Sequence, residues 1–203
     1  METTQSQRGP ARARSACASA LSSSIWIRFD LVLNNLTAWA CATGVVYLKS
    51  DGSAWRPLVH VEDVARAYVA VLEAPHERVH NQAFNVGRTE ENHQVSDLAR
   101  IVLDTVPGCR LETAPGAAVD ARNYRVDCGK IARLLPEWRP RWTARQGALE
   151  LYETFRRIGL ERDDFEGLRF NRIAHLRALI AQGALDADLD WSAARRAALL
   201  DAR

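Results

Sequence analysis

The chain has 203 residues, and its net charge of +2 is too small a bias to make nucleic acid the main partner. Apolar residues make up 47% and charged residues 26%, which excludes a mainly disordered chain. No apolar run reaches the roughly 18 residues that a membrane-spanning helix needs.

The cysteines are Cys17, Cys41, Cys109 and Cys128. No pair has C-x-x-C spacing, and no Cys or His cluster has the form of a zinc site. We read them as reduced thiols of a cytoplasmic protein, with no bound metal. All but two of the 27 basic residues are arginine. The 11 glycines are never closer than eight residues apart. A dinucleotide fingerprint or a P-loop needs glycines two to five residues apart, so the chain holds no glycine-rich phosphate cradle.

In chain order, residues 1–28 read as a disordered or aberrant polar leader. Arg8, Arg12 and Arg14 before a Ser/Ala run also permit a targeting reading, but the apolar stretch is weak. Asp30 is placed to cap a helix running through LVLNNLTAWACAT to Gly44. Val32, Leu36, Trp39, Ala40 and Thr43 share a face at helical spacing. VVYL (45–48) reads as a strand ended by Ser50, Asp51 and Gly52. LVHV (58–61) reads as a second β run. The helix VARAYVAVLEA follows, with Glu62 and Asp63 at its positive end and Pro75 as its stop.

QAFNVG (82–87) has the form of a buried strand. Ser96 is placed to cap DLARIVLDTV, which stops before Pro107-Gly108. CRLET (109–113) and NYRVD (123–127) read as strands, and 128–135 as a short helix closed by Pro136. Thr143 and Gln146 form a capping box for a helix through Arg157, with Ala148, Leu149, Tyr152 and Phe155 as its apolar face. A further helix is expected over 170–182, with Ile173, Leu176, Leu179 and Ile180 inward and Gly183 as the stop. Ser192 is placed to cap a last one. Strands alternating with helices predict an α/β fold, with too few strands for a complete doubly wound domain.

Two stretches carry a family pattern: SDGSAWRPLVHVEDVARAYVAVLEAP (50–75) with NQAFNVG (81–87), and NNL (34–36) opening a helix upstream. NYRVDCGK (123–130) follows later in the expected order. Together these resemble the C-terminal half of extended short-chain dehydrogenase/reductases, the NAD-dependent epimerase/dehydratase group typified by UDP-glucose 4-epimerase. The resemblance spans about Phe29 to Trp142. It implies a partial Rossmann-like fold that lacks the N-terminal NAD-binding βαβ units. Residues 29–142 would be its substrate-binding part, and 143–203 a helical extension for packing or homo-oligomer contact.

In that family this half holds a nucleotide sugar. The resemblance implies that Arg56 contacts the diphosphate, where a planar guanidinium suits phosphate oxygens. Without the resemblance, Arg56 also reads as a structural arginine paired with Asp63 or another acid. Asn35, with Asn34 beside it, lies where free backbone N–H groups favour anions, and either asparagine also serves ordinary helix entry. Tyr124 aligns with a tyrosine near the nucleotide, and Asp120 with an acid that accepts from ribose hydroxyls. An arginine expected just upstream of Asp120 is absent, and Arg122 and Arg125 are the alternatives. His60, Asp63, Asn85 and Gly87 match the pattern with structural roles.

The family's catalytic Tyr-x-x-x-Lys pair has no counterpart. The residues four positions after the tyrosines are Asp51, Leu72, Cys128 and Arg156. No catalytic, cofactor-binding or metal residue is therefore assigned. NAD or NADP belongs to the parent family, and this chain alone is expected to bind neither. The expectation is a truncated, inactive enzyme half. The alternative is a non-catalytic nucleotide-binding or oligomer-interaction module.

Overall fold

A computed structural model describes residues 27–193 and 195. The leader as far as residue 26 lies outside the described residues. The elements run α1 (Val32–Thr43), β1 (Val45–Leu48), β2 (Trp55–Pro57), α2 (Val61–Glu73) and α3 (His76–Val79). A short 3-10 turn at Thr89–Glu91 leads into β3 (Asn92–Gln94), α4 (Val95–Thr105) and β4 (Arg110–Thr113). Then come α5 (Gly129–Leu134), α6 (Ala144–Ile158), α7 (Arg162–Glu166) and α8 (Arg172–Ala181).

The strands form two small sheets. β1 and β4 pair in parallel, with Val45 opposite Arg110 and Leu48 opposite Thr113. β2 and β3 pair antiparallel, with Arg56 opposite His93. The parallel pair, joined through intervening helices, gives the α/β class. Gly44 ends α1 at φ 71, where its N–H donates to Ala40 O and the chain turns directly into β1.

The main core joins α1, β1, α4 and α6. Leu33, Leu36 and Ala40 meet Val46, Leu48, Leu98, Val102 and Ala148. Small side chains at Ala40, Ala99, Ala144 and Ala148 let the helices approach closely. Residue 147 is glycine beside Leu33, so α6 presses directly on α1. The helix that opens 143–203 is therefore built into the central core. A second cluster sets Phe29 against Phe155, Phe165 and Phe170, with ring centroids 5.0–5.6 Å apart. A third joins Ala67 of α2 to Ile131, Leu135 and Trp138.

Several expectations change. Asp30 does not cap α1; it accepts from the Arg28 guanidinium, a charge-assisted bond that outweighs a cap to a neutral amide. The buried face of α1 is Leu33, Leu36, Thr37, Ala38 and Ala40, because the helix is packed on two sides. The run 58–61 is not a strand, because Val61 already starts α2. Segments 82–87 and 123–127 lie outside the named strands. In the latter, the Asn92 amide imitates a strand partner: it donates to Val126 O and accepts from Val126 N–H.

Gln94, not Ser96, caps α4, in a capping box with Asp97. Leu149 on α6 is exposed, and Ala144 and Gly147 are buried instead. In α8, Ile173, Leu176 and Ile180 face solvent. Ser192 Oγ accepts from Arg195 N–H, and the rest of that expected helix lies outside the described residues.

Candidate functional site

A cleft of about 1020 Å³ opens between the N-terminal half of α1, the end of β1, the 56–61 segment, the 120–124 loop and the flank of α6. Asn34, Asn35, Arg56, Asp120 and Tyr124 all line it. Residues up to ninety positions apart in sequence thus meet at one opening.

The α1 wall is favourable to anions. Its N-terminus has no side-chain cap and no acid in the first turn, so its backbone N–H groups keep their positive end open. Asn34 and Asn35 fall inside that first turn. Their amides donate to Arg28 O at 3.0 Å and Phe29 O at 2.9 Å. These two bonds fold the 28–31 turn back onto the helix and fix the rim of the cleft. Each asparagine spends one amide N–H in this way and keeps its second N–H and its carbonyl oxygen.

The opposite wall is built on β2. Arg56 is held by three acceptors. Nη1 donates to Trp55 O at 2.7 Å and to Arg122 O, and Nη2 donates to Asp120 Oδ2 at 2.5 Å. Arg122 binds the same carboxylate: its Nε reaches Oδ1 at 3.1 Å and its Nη2 reaches Oδ2 at 3.0 Å. Hydrogen bonds from the Arg122 side chain and backbone, with further attraction from Arg56, hold the Asp120 carboxyl down at about 2. Tyr124 stands beside this group, with its ring centre 5.9 Å from the Arg56 guanidinium carbon. Arg56 is thus both a cleft residue and one member of an ion pair, and its acid is Asp120 rather than Asp63.

Sequence reasoning missed a second polar group in the cleft. The His60 ring stacks on Trp142 at 3.9 Å between centroids, and Nε2 meets Glu150 Oε2 at 2.8 Å. Nδ1 accepts from Glu62 N–H at 3.2 Å and so caps α2. An Nδ1 that accepts leaves the ring proton on Nε2, where it donates to Glu150. Glu150 lies ninety residues away in sequence, and no local spacing signals that contact.

Asp63 does more than occupy a helix start. At 1% exposure its carboxylate accepts from Arg141 N–H, Trp142 N–H and the Arg66 guanidinium at 2.8–3.0 Å. It therefore pins the chain that carries Trp142 into the cleft. Cys41, Cys109 and Cys128 are free thiols. Burial pushes Cys41 up to about 11, which leaves it protonated and unreactive near neutral pH. No described helix is long and apolar enough to cross a membrane.

The sequence profile of the NAD dependent epimerase/dehydratase family matches residues 29–87. UDP-glucuronic acid decarboxylase 1 of Arabidopsis thaliana is 27% identical over 138 residues, covering 68% of this chain and 30% of that protein. Among solved structures, RMD from Pseudomonas aeruginosa, complexed with NADPH, matches with a TM-score of 0.54 and 15% identity. That match covers 64% of this chain and 44% of the other. TunA, an NAD dependent-NDP-hexosamine 5,6-dehydratase involved in tunicamycin biosynthesis, matches with a TM-score of 0.52 and 20% identity, over 63% of this chain and 41% of its own. At these identities the structures establish a shared Rossmann-like fold. The chain spans less than half the length of each of these proteins.

The described residues do not fit a dinucleotide. A pyrophosphate cradle needs free N–H groups at a helix start reached over closely spaced glycines. Here α2 is capped by His60, while α4 and α6 are closed by capping boxes. The start of α1 has no side-chain cap but is reached without any glycine between residues 27 and 43, and the other uncapped starts, of α3 and α5, belong to helices of four and six residues.

Proposed function

We propose that this chain forms the nucleotide-sugar-binding half of an NAD-dependent epimerase/dehydratase, the family whose profile matches residues 29–87. Arg56 is the diphosphate contact. Asn34, Asn35 and the open start of α1 face the same anion from the other wall, and Tyr124 closes the side of the nucleotide. In the ligand-free chain Arg56 is paired with Asp120. The observation that carries this reading is the convergence of these residues on one cleft, although they come from three separate stretches of sequence.

The chemistry of the whole enzyme needs the hydride carrier and the Tyr-x-x-x-Lys pair, and this sequence contains neither motif. On this reading the 203-residue chain binds without turning over.

Calorimetric titration with UDP, dTDP, GDP and CDP tests the proposal. At least one is expected to bind, and Arg56→Ala is expected to weaken it about tenfold or more, as for loss of a charge-assisted phosphate contact. The pure chain with NAD and a UDP-sugar is expected to give no product. Binding unchanged by Arg56→Ala, heat-free titrations with all four nucleotides, or measured turnover would contradict the reading.

A further inference from the structure

We propose that Arg56 and Arg122 together form a two-arginine clamp for a phosphate-bearing ligand, and that Asp120 fills this clamp until the ligand displaces it. The inference rests on the reading of the cleft given above and adds both a binding residue and an internal competitor.

Both guanidinium groups converge on one oxygen. Arg56 Nη2 and Arg122 Nη2 reach Asp120 Oδ2 at 2.5 and 3.0 Å. Two forks meeting at one acceptor is the arrangement that suits a phosphate oxygen, and a carboxylate oxygen imitates it. The two arginines lie on different parts of the chain, and the Arg122 carbonyl ties them together by accepting from Arg56. Both line the cleft beside Tyr124 and face the uncapped start of α1.

Asp120 can leave without breaking a strand or helix. It sits on an irregular stretch between β4 and α5. That stretch is anchored on both sides of it, by Asp51 N–H to Ala118 O and by Trp55 N–H to Asn123 Oδ1. The release of Asp120 costs the bonds to the two guanidinium groups and the one from Arg122 N–H to Oδ1 at 3.0 Å. The Arg122 side chain is 82% exposed, against 14% for Arg56. Arg56 is therefore the fixed jaw and Arg122 the mobile one.

A diphosphate brings more charge and more acceptor oxygens than one carboxylate, so it takes both jaws. Arg125, the other alternative for the missing upstream arginine, turns elsewhere: its guanidinium carbon lies 4.5 Å from the Trp55 ring centre. The other acids of the cleft have partners of their own. Glu150 bonds His60, and Glu91 bonds His93 and Ala144 N–H.

The test is calorimetry of inorganic pyrophosphate and of UDP on the full chain at one fixed salt concentration. Asp120→Asn is expected to tighten pyrophosphate binding about tenfold, because a site that is mostly self-occupied gains affinity in proportion to its freed fraction. Arg122→Ala is expected to weaken binding in both backgrounds, and Arg125→Ala to leave it unchanged. Glu150→Gln removes the same charge from the cleft without touching the clamp and is expected to give little gain.

No gain from Asp120→Asn, an equal gain from Glu150→Gln, or equal effects of Arg122→Ala and Arg125→Ala would overturn the clamp. In those cases, UDP binding that still depends on Arg56 leaves the cleft reading standing. If neither pyrophosphate nor UDP binds any variant, both readings fall. If circular dichroism shows that Asp120→Asn is unfolded, the comparison of Arg122→Ala with Arg125→Ala in the natural background decides alone.

Discussion

Arg56 begins a chain of dependencies that runs through single side chains. Its position on β2 is fixed by a backbone carbonyl, a loop carbonyl and one carboxylate. The carboxylate is the titratable part. Asp120 is held at about 2, chiefly by hydrogen bonds from Arg122, below the ordinary value of 3.8. A depressed acid contributes stability that is present above its unfolded pKa and is lost as pH falls through its folded pKa. The contacts of Asp120 with Arg56 and Arg122 are therefore expected to hold down to about pH 4 and to be lost between pH 4 and pH 2. Trp55 adjoins Arg56 and reports the change by fluorescence. Asp120→Asn should lack this acid transition. Identical acid titrations of the two proteins would show that the carboxylate does not hold Arg56.

At the scale of elements, the cleft depends on α2 and α6 being set against each other, and Asp63 does this. It sits in the first turn of α2 and receives the N–H groups of Arg141 and Trp142, the residues leading into α6. Asp63→Ala leaves two part-buried N–H groups and Arg66 without their acceptor. It is expected to cost about 3 kcal/mol in urea denaturation. Trp142 is also expected to lose its stacked geometry on His60, read as a change in near-ultraviolet circular dichroism. A loss below about 1 kcal/mol would mean that solvent replaces the carboxylate freely.

These contacts mark how far the sequence could be read. Helices with local punctuation were legible: Gly44, Pro75, the Thr143–Gln146 box and Pro136 all stop or start an element near the expected place. Strands at 58–61, 82–87 and 123–127 were not, because a strand is defined by a neighbour and apolar alternation does not reveal whether one is present. The inward face expected of α8 failed for the same reason, since amphipathic spacing gives a face but not what covers it. In the site, the family pattern singled out Asn34, Asn35, Arg56, Asp120 and Tyr124, and these share the cleft. The His60–Glu150 pair and the convergence of Arg122 on Asp120 depended on tertiary geometry.

In the molecule as a whole, two walls built by distant segments line one cleft, and the proposed ligand bridges them. One wall is the start of α1, and the other is β2 with the 120–124 loop. Val61, Tyr68 and Leu72 on α2 are exposed and lie apart from the polar walls, except for Val61 at the rim. A ligand bound through the arginines and the α1 start must therefore slow amide exchange in both walls at once and leave the outer turns of α2 and α8 unaffected. Hydrogen–deuterium exchange with mass spectrometry, with and without saturating UDP, reads this directly. Joint protection of peptides covering 28–36 and 118–126 is expected. Protection confined to one of these segments, or none in either, would contradict it.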